Sequence, residues 1–432
     1  MKIKLFIILL TISTYASSQT EIKRLKGQVI DEVSKEPITD ALLIYKNSLV
    51  GFTDIDGNYN ITIKAPVDDF LTIKHFSFET KKIKVEDIKD NIITLISNVN
   101  ELEEVLIGFD DEANEIIKKA SKLLKKNFRN APYWSKANLK QVIKINDTLP
   151  SYLEGDYSLF MVGADKDVWN MPILVPENTR RTKEYYGEAF GDKKRAKSPF
   201  FYSQNVNYIT DFFLTSYRFS EFNNPLLRKR NYAFSLDDTI LIDGESYYVI
   251  SYKSLKEFNN IKERDFYDIQ GEILLSKKTL SLKRITSLHK RSLGKTKGGV
   301  DNIFTIDYSE IGSEIFPKSI SYNIKMTTEK ASVETEGILS LNNIKTEVVE
   351  NLRNTISPNR YLFHSSEIYN NYDIKHWNDY KTPNFLETKY FGKKIESKEF
   401  LKGSLQIMSP KDLYPGTKEN EQKILELMPK TF

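Results

Sequence analysis

Residues 51–63 read GFTDIDGNYNITI, and this stretch decides the fold of the first part of the chain. Residues 58–63 alternate polar and apolar side chains, which is the period of a β-strand with one buried face. Asp56-Gly57 is a turn dipeptide, because Asp bonds to nearby backbone amides and Gly accepts a positive φ. Several short strands at this spacing predict a β-sandwich over residues 24–97. Further runs of this kind stand at 25–30, 41–45 and 70–73.

Three motifs in the same region carry a family resemblance. They are GQVID at 27–31, Glu36-Pro37-Ile38 followed by Ala41, and GFTDIDGNY at 51–59. In this order they resemble the carboxypeptidase-regulatory-like domain, a transthyretin-like β-sandwich found at the N-termini of many envelope proteins and TonB-dependent receptors. The chain departs from the pattern at Ser77-Phe78, where such domains often carry Gly-Tyr. The resemblance implies a non-catalytic module, since these domains accompany peptidases without being their catalytic part.

A connector over residues 98–111 follows the sandwich. Its acidic and then apolar residues, NELEEVLI at 100–107, resemble the segment that follows the same domain in TonB-dependent receptors. The remaining chain is too short to form the rest of such a receptor. We therefore expect a protein that shares only its leading domain with that class.

The N-terminus has the three parts of a secretory signal peptide. MKIK is basic, residues 5–12 are apolar, and small residues surround Ala16, so we expect cleavage after residue 18. The apolar run is much shorter than the ~20 residues of a spanning helix, and no later stretch comes close. The sequence therefore predicts a protein exported to the Gram-negative cell envelope, either periplasmic or associated with the outer membrane, with the cell surface as a further option. No transmembrane segment is expected after processing, and peripheral membrane contact is allowed.

The composition excludes several classes of protein. The chain has no cysteine, which rules out disulfides, thiolate metal sites, cysteine nucleophiles and a lipid-anchored cysteine. Its 63 basic and 59 acidic residues leave a net charge of +4. A dedicated nucleic-acid binder would show a domain-wide basic excess, so no nucleic-acid partner is expected.

The clearest helical pattern lies at residues 112–128, and Asp110 and Asp111 can cap it. Its apolar residues form one stripe that should pack on a sheet. Its basic residues then lie either on the solvent-exposed side of this helix or on a face that contacts an anionic membrane. The apolar positions are Ala113, Ile116, Ile117, Ala120, Leu123, Leu124 and Phe128, and the basic ones are Lys118, Lys119, Lys122, Lys125, Lys126 and Arg129.

Strand patterns dominate the chain after this helix. Alternating runs at 239–242 and 247–252 flank Asp243-Gly244, a strong hairpin signal. Most runs have one apolar and one polar face, which predicts an antiparallel sheet over a helix. We therefore predict a mainly β chain in which a larger α+β domain, half-barrel-like in shape, occupies residues 112–345. The other runs stand at 137–145, 151–162, 267–275, 280–288, 303–308, 320–326 and 337–341.

A second, looser resemblance spans residues 230–345. Tyr248-Val249-Ile250, GEILL at 271–275 and Phe316-Pro317 follow in an order similar to that of uncharacterised envelope proteins carrying the same sandwich. The order is also loosely similar to the half-barrel of periplasmic lipoprotein carriers. This resemblance implies a sheet and suggests a cavity that faces lipid.

Two regions outside the strands are rich in aromatic residues. One lies within 200–222 and the other in an aromatic and charged C-terminal extension over residues 346–432. Both fit either core packing or a groove that stacks sugars or holds acyl chains. The residues are Phe200, Phe201, Tyr202, Tyr208, Phe212, Phe213, Tyr217, Phe219 and Phe222 in the first region, and Tyr361, Phe363, Trp377 and Tyr380 in the second.

No candidate metal site survives comparison with known ligand patterns. His75 and Glu79 lie four residues apart in an apparent strand and turn, which does not aim them at one point. Residues 54–58 (DIDGN) resemble the start of a calcium loop, but Ala65 stands where the closing glutamate belongs. We therefore expect a β-turn there, with Asp54 capping amides and Gly57 at positive φ. His289, His364 and His376 are scattered without ligand spacing.

Catalytic signatures are also missing from the sequence. It has no Gly-rich phosphate loop, GxSxG elbow or HExxH helix. We expect no catalytic, metal or cofactor residues, and hence a non-catalytic binding or scaffold protein whose partner is an envelope protein, glycan or lipid. The alternatives are a periplasmic lipid or lipoprotein carrier, which predicts an apolar cavity, and a glycan-active hydrolase that uses unrecognised paired carboxylates.

Overall fold

A computed structural model of the chain describes residues 21–54, 56–65, 70–75, 78–88, 91–97, 110–129, 131–146, 151–161, 173–181, 224–242, 244–255, 268–292, 298–329 and 332–347. Contacts between Cα atoms divide the chain into two units. The first comprises Met1–Val105 and Thr239–Tyr247, and the second comprises Leu106–Asp238 and Tyr248–Phe432.

The first unit contains the predicted β-sandwich. Strand β1 lies between β4, which is antiparallel to it, and β7, which is parallel to it. The other sheet has the order β3-β2-β5-β6 and is antiparallel. Buried side chains from both sheets, among them Val29, Leu43 and Ile73, form one hydrophobic core. The strands are β1 (Glu21–Asp31), β2 (Leu42–Tyr45), β3 (Ser48–Phe52), β4 (Asn58–Ala65), β5 (Phe70–His75), β6 (Phe78–Lys84) and β7 (Ile92–Leu95), with a 3-10 helix at Val85–Asp87.

The turn before β4 has the predicted geometry. The Asp54 carboxylate accepts the amides of Asp56 at 3.0 Å and Asn58 at 2.8 Å. Gly57 has a φ of +69° and lies so close to the Val29 carbonyl that a Cβ would collide with it. The prediction of a β-turn at these residues is therefore confirmed, and Gly57 is required both for its φ and for close packing.

The second unit is a long antiparallel sheet with one helix, α1 (Asp111–Asn127), packed on it. The sheet has the order β10-β9-β8-β17-β16-β15-β14-β13-β12-β11. The predicted fold class, mainly β with a packed helix, is confirmed. The strands are β8 (Tyr133–Ile145), β9 (Ser151–Met161), β10 (Ile173–Arg181), β11 (Tyr232–Ile242), β12 (Glu245–Ser254), β13 (Asp268–Ser276), β14 (Leu282–Ser292), β15 (Gly299–Ile311), β16 (Glu314–Thr327) and β17 (Ser332–Lys345), with a 3-10 helix at Lys229–Asn231 before β11.

The helix begins at the predicted cap. One oxygen of the Asp110 carboxylate accepts the Ala113 amide at 3.0 Å, and the other accepts the Leu236 amide of β11 at 2.8 Å. The apolar stripe of the helix is buried in the same core as the sheet. After the helix, the Phe128 ring lies 5.9 Å from that of Tyr308. The predicted helix and its sheet-facing stripe are therefore confirmed.

Several predictions concern residues outside the described ranges and stay predictions. They are the signal peptide at 1–18, most of the connector, the aromatic region within 200–222 and nearly all of the extension at 346–432, including His364 and His376. The predicted domain boundaries also stay predictions. In the described part of the chain, no helix combines the length and the apolar character needed to cross a membrane.

Candidate functional site

The face of the long sheet on which α1 packs, called the inner face here, is organised in rows. Side chains on neighbouring strands lie opposite one another, so each residue pairing continues a row across the sheet. The first, aliphatic row is buried and crosses six strands from β13 to β8. It consists of Ile273, Ile285, Ile306, Ile320, Leu339 and Leu139.

The next row, the tyrosine–glycine row, lies two residues further along each strand. Two of its members are glycines at positions where a Cβ would approach a tyrosine hydroxyl, and at Gly271 the Thr286 carbonyl oxygen is closer still, 1.9 Å from the Cβ position. Over Gly337, a Cβ would collide with the Tyr322 hydroxyl, which donates to Gln141 Oε1. Over Gly271, a Cβ would lie 2.8 Å from the Tyr252 hydroxyl. The row consists of Gly271, Ser287, Phe304, Tyr322, Gly337 and Gln141.

The Tyr252 ring extends this arrangement from β12. Its hydroxyl hydrogen bonds with Ser287 Oγ and donates to the Thr286 carbonyl at 3.1 Å. Burial raises the pKa of the Tyr252 phenol well above its usual value, so the group stays neutral. At both ends of the row, a tyrosine therefore crosses a glycine and presents its hydroxyl to a polar side chain on the inner face.

A third, polar row follows, in which His289, Asn302, Ile324 and Thr335 lie side by side. His289 is 1% exposed and Asn302 is 4% exposed. Among the described residues, Asn302 Oδ1 has no hydrogen-bond partner, and neither has Gln141 Nε2 in the row before. A buried polar atom without a partner lowers the free energy of unfolding by about 1–3 kcal/mol, so each of the two amides destabilises the folded protein.

No member of the three rows carries a charge at neutral pH. Among the members of these rows, His289 is the side chain whose usual pKa lies closest to neutral pH. Burial lowers its pKa to about 4, so its imidazole is uncharged at pH 7. The inner face therefore offers an apolar band beside neutral hydrogen-bonding groups. Such a surface suits a ligand that combines a hydrocarbon part with uncharged polar groups.

The opposite, outer face is charged and paired. The buried Glu154 carboxylate accepts the Tyr152 hydroxyl at 2.8 Å and lies 3.8 Å from Lys140 Nζ. Lys136 and Glu177 form an ion pair, and Arg284 pairs with Asp307 at 2.6 Å. The Lys140–Glu154 and Arg284–Asp307 pairs join neighbouring strands. The Lys136–Glu177 pair spans β9, and Tyr152 and Glu154 lie on the same strand, so none of these contacts needs a ligand to account for it.

In the described part of the chain, His75 and Glu79 belong to no cluster of possible metal ligands. The His75 ring packs 5.2 Å from that of Phe78, and Glu79 is exposed. Within the described ranges, no group of three or more His, Cys, Asp or Glu side chains could hold a metal ion. A second buried carboxylate, Glu336, pairs in register with Val142, so strand β8 separates it from Glu154 on β9.

Sequence reasoning missed the amides of the inner face. His289 was recognised only as one of several scattered histidines, and Asn302 and Gln141 were not recognised at all. One signal was available in residues 300–308 (VDNIFTIDY), where Asn302 occupies an inward position of an otherwise apolar alternation. Its neighbours across the sheet depend on strand register, which the sequence does not reveal.

Residues 25–107 match the model of the CarboxypepD_reg-like domain. This agrees with the resemblance read from the motifs of the sandwich. The CarboxypepD_reg-like domain accounts for well under half of the chain, so the match concerns mainly the first unit. No curated protein sequence matches the chain.

Three solved structures are similar to parts of the chain. A domain named for outer membrane lipoprotein sorting, from Vibrio parahaemolyticus, is 12% identical, with coverage of 59% of this chain and 99% of that one and a TM-score of 0.24. A DUF1329 family protein from Desulfovibrio piger is 11% identical, with 55% and 95% coverage and a TM-score of 0.23. A LolA superfamily protein from Nitrosomonas europaea is 11% identical, with 55% and 94% coverage and a TM-score of 0.21. With scores this low, function has to be inferred from the contacts of this chain.

Proposed function

We propose that this chain is an exported, non-catalytic binding protein of the cell envelope, and that its second unit holds an elongated neutral amphiphile on the inner face. The hydrocarbon part would lie along the aliphatic row. The polar part would meet the Tyr322, Gln141 and Asn302 side chains. This reading joins the binding role predicted from the sequence with its lipid-carrier alternative.

The unpaired amides are the observation that carries the proposal. Nearly all buried polar atoms in folded proteins have partners, so Asn302 Oδ1 and Gln141 Nε2 call for an explanation. One is an acceptor and the other a donor, and a neutral hydroxyl, ester or amide of a ligand can satisfy each. Charged ligands are disfavoured because the rows contain no counter-charge.

The dimensions of the site agree with an acyl chain. Six strands spaced about 4.8 Å apart give the aliphatic row a span of about 24 Å. One leaflet of a bilayer's hydrocarbon core is about 15 Å thick, so an extended lipid tail is no longer than the row. The amides lie in rows next to this band, which allows one ligand to contact both kinds of surface.

The proposal is tested by extracting purified protein with organic solvent and identifying bound molecules by mass spectrometry. We expect an amphiphile with at least one long hydrocarbon chain in stoichiometric amount. Titration of delipidated protein with the methyl ester of cis-parinaric acid, a fluorescent and uncharged amphiphile, then reports binding. Asn302→Leu should weaken retention of the natural ligand while keeping the fold, because it preserves volume and removes the polar atom.

Asn323→Leu is the matched control. Asn323 lies on the outward side of β16, where its amide donates to Glu334 Oε1 at 3.3 Å. This variant should keep the ligand. Protein that carries no amphiphile and does not bind the fluorescent ester, or an Asn302→Leu variant that retains ligand as well as its control, would overturn the proposed function.

The exported location is tested separately by fractionation of cells and N-terminal sequencing of the mature chain. We expect the protein in the envelope fraction, beginning at Gln19. Full-length protein in the cytosol would contradict it.

A further inference from the structure

Two elements of the second unit that contact each other, α1 and the 3-10 helix before β11, bring basic side chains together on one surface. Helix α1 contributes Lys118, Lys122 and Lys125, and the 3-10 helix before β11 contributes Lys229 and Arg230. These five residues are called the basic cluster here. Lys229 is half-buried, and the other four are exposed.

The charges of the basic cluster are close enough to repel one another. Desolvation is the main cause that lowers the pKa of Lys229, and the charges of Lys118, Lys125, Lys122 and Arg230 add to it. In the described part of the chain, Glu115 is the one acid that forms an ion pair with the cluster, at 2.8 Å from Lys118 Nζ. Neighbouring like charges destabilise a helix surface, so folding gains nothing from this arrangement.

An exposed apolar residue lies directly beside the cluster. The Leu255 amide donates to the Asn231 carbonyl at 2.9 Å, which places Leu255 next to the 3-10 helix. Leu255 directly follows β12 and is 37% exposed. Basic residues together with an exposed aliphatic side chain are the combination that interfacial membrane-binding surfaces use.

We propose that the basic cluster, with Leu255 beside it, docks the protein on the surface of an anionic bilayer. The lysines and the arginine would contact lipid phosphates, and Leu255 would enter the headgroup region. The proposal goes beyond the proposed function, because it assigns a partner to a surface on the other side of α1 from the inner face. It would still hold if no ligand bound there.

The expected strength follows from the number of charges. Each Lys or Arg near an anionic membrane contributes about fivefold to the partition coefficient. Neutralising three members should therefore weaken binding about a hundredfold. Screening by salt should have a similar effect, because these charges are exposed to solvent.

The test is co-sedimentation of the full-length mature protein with vesicles. One set contains phosphatidylglycerol mixed with phosphatidylcholine, and the other contains phosphatidylcholine alone. We expect binding to the anionic set only, with loss at high salt and a loss of about a hundredfold in the triple variant Lys122→Gln/Lys125→Gln/Lys229→Gln. Leu255→Ser should cause a smaller loss of a few-fold, since it removes one aliphatic side chain from the contact.

The matched control is Lys26→Gln/Lys82→Gln/Lys318→Gln, which removes three exposed lysines elsewhere and reaches the same net charge. It should bind as the wild type does. Equal losses in both triple variants, equal binding to neutral vesicles, or no vesicle binding at all would overturn the proposal. So would cluster-dependent binding to an acidic peptide or to heparin without binding to vesicles. Because this assay measures sedimentation and the ligand assay measures extracted lipid, either proposal can fail without the other.

Discussion

On the outer face of the long sheet, charged groups form ion pairs, whereas on the inner face two buried neutral amides each leave one atom without a hydrogen bond. The Glu154 carboxylate accepts the Tyr152 hydroxyl on its own strand and lies 3.8 Å from Lys140 Nζ on the neighbouring strand. Asn302 and Gln141 occupy comparable depth but leave one amide atom each without a hydrogen bond. An ion pair leaves each charge with an opposite charge beside it, whereas a buried neutral amide atom without a hydrogen bond can be satisfied by another molecule, which is why we propose the inner face as the ligand site.

The largest effect should come from Gly337→Val on the inner face. A side chain there collides with the Tyr322 hydroxyl and lies 2.7 Å from the Lys140 carbonyl oxygen, so both ring and backbone must shift. We expect the free energy of unfolding to fall by about 3–4 kcal/mol. Ser340→Val, at a half-buried outward position on the same strand, should change it little. Equal effects in chemical denaturation would remove the distinction between the two faces.

The next effect is a pH dependence caused by His289. Its pKa in the folded protein is about 4, below the usual 6.5, so the unfolded chain binds more protons between these values. Stability from the neutral imidazole is fully present above pH 6.5 and falls as the pH drops toward 4, by about 3 kcal/mol in total. His289→Gln should show a smaller loss over this range in urea denaturation. An unchanged pH profile would contradict the neutral inner face.

On the outer face, Glu154→Ala should cost about 2–3 kcal/mol. The carboxylate is buried, and its removal deprives the Tyr152 hydroxyl and the Lys140 amine of their contacts with it. Glu334→Ala, at a half-buried position of the same face, should cost less than half as much. If the two variants lose the same stability in thermal denaturation, the outer pairing does not stabilise the sheet.

The smallest expected change in the free energy of unfolding is a gain and not a loss. Asn302→Leu replaces a buried amide with an unpaired oxygen by an apolar side chain of similar size, so the ligand-free protein should gain about 1 kcal/mol. Denaturation of delipidated protein measures this gain. A loss of stability would mean that Asn302 is a structural residue, which would also weaken the proposed function.

The sequence predicted the elements that depend on local chemistry. Alternation revealed strand β4, and the side chains of Asp54 and Gly57 determined the turn before it. The Asp110 cap and the apolar stripe of α1 were also readable, because a helix buries residues at a fixed spacing.

The rows of the inner face could not be predicted. The contact of His289 with Asn302 depends on how β14 is aligned with β15, and a shift of one residue would turn the amide outward. The role of Gly337 likewise depends on Tyr322 of the adjacent strand. The basic cluster combines residues more than 100 positions apart, so only its helical part was visible in the sequence.

The crossing of Tyr322 over Gly337 also limits how this protein can change. Neither position can vary alone, because a larger residue at 337 needs a shorter one at 322, and a shorter residue at 322 opens a void over the glycine. Second-site suppressors of Gly337→Val should therefore concentrate at position 322. In a redesigned version of this sheet the two residues would have to be exchanged as a single unit.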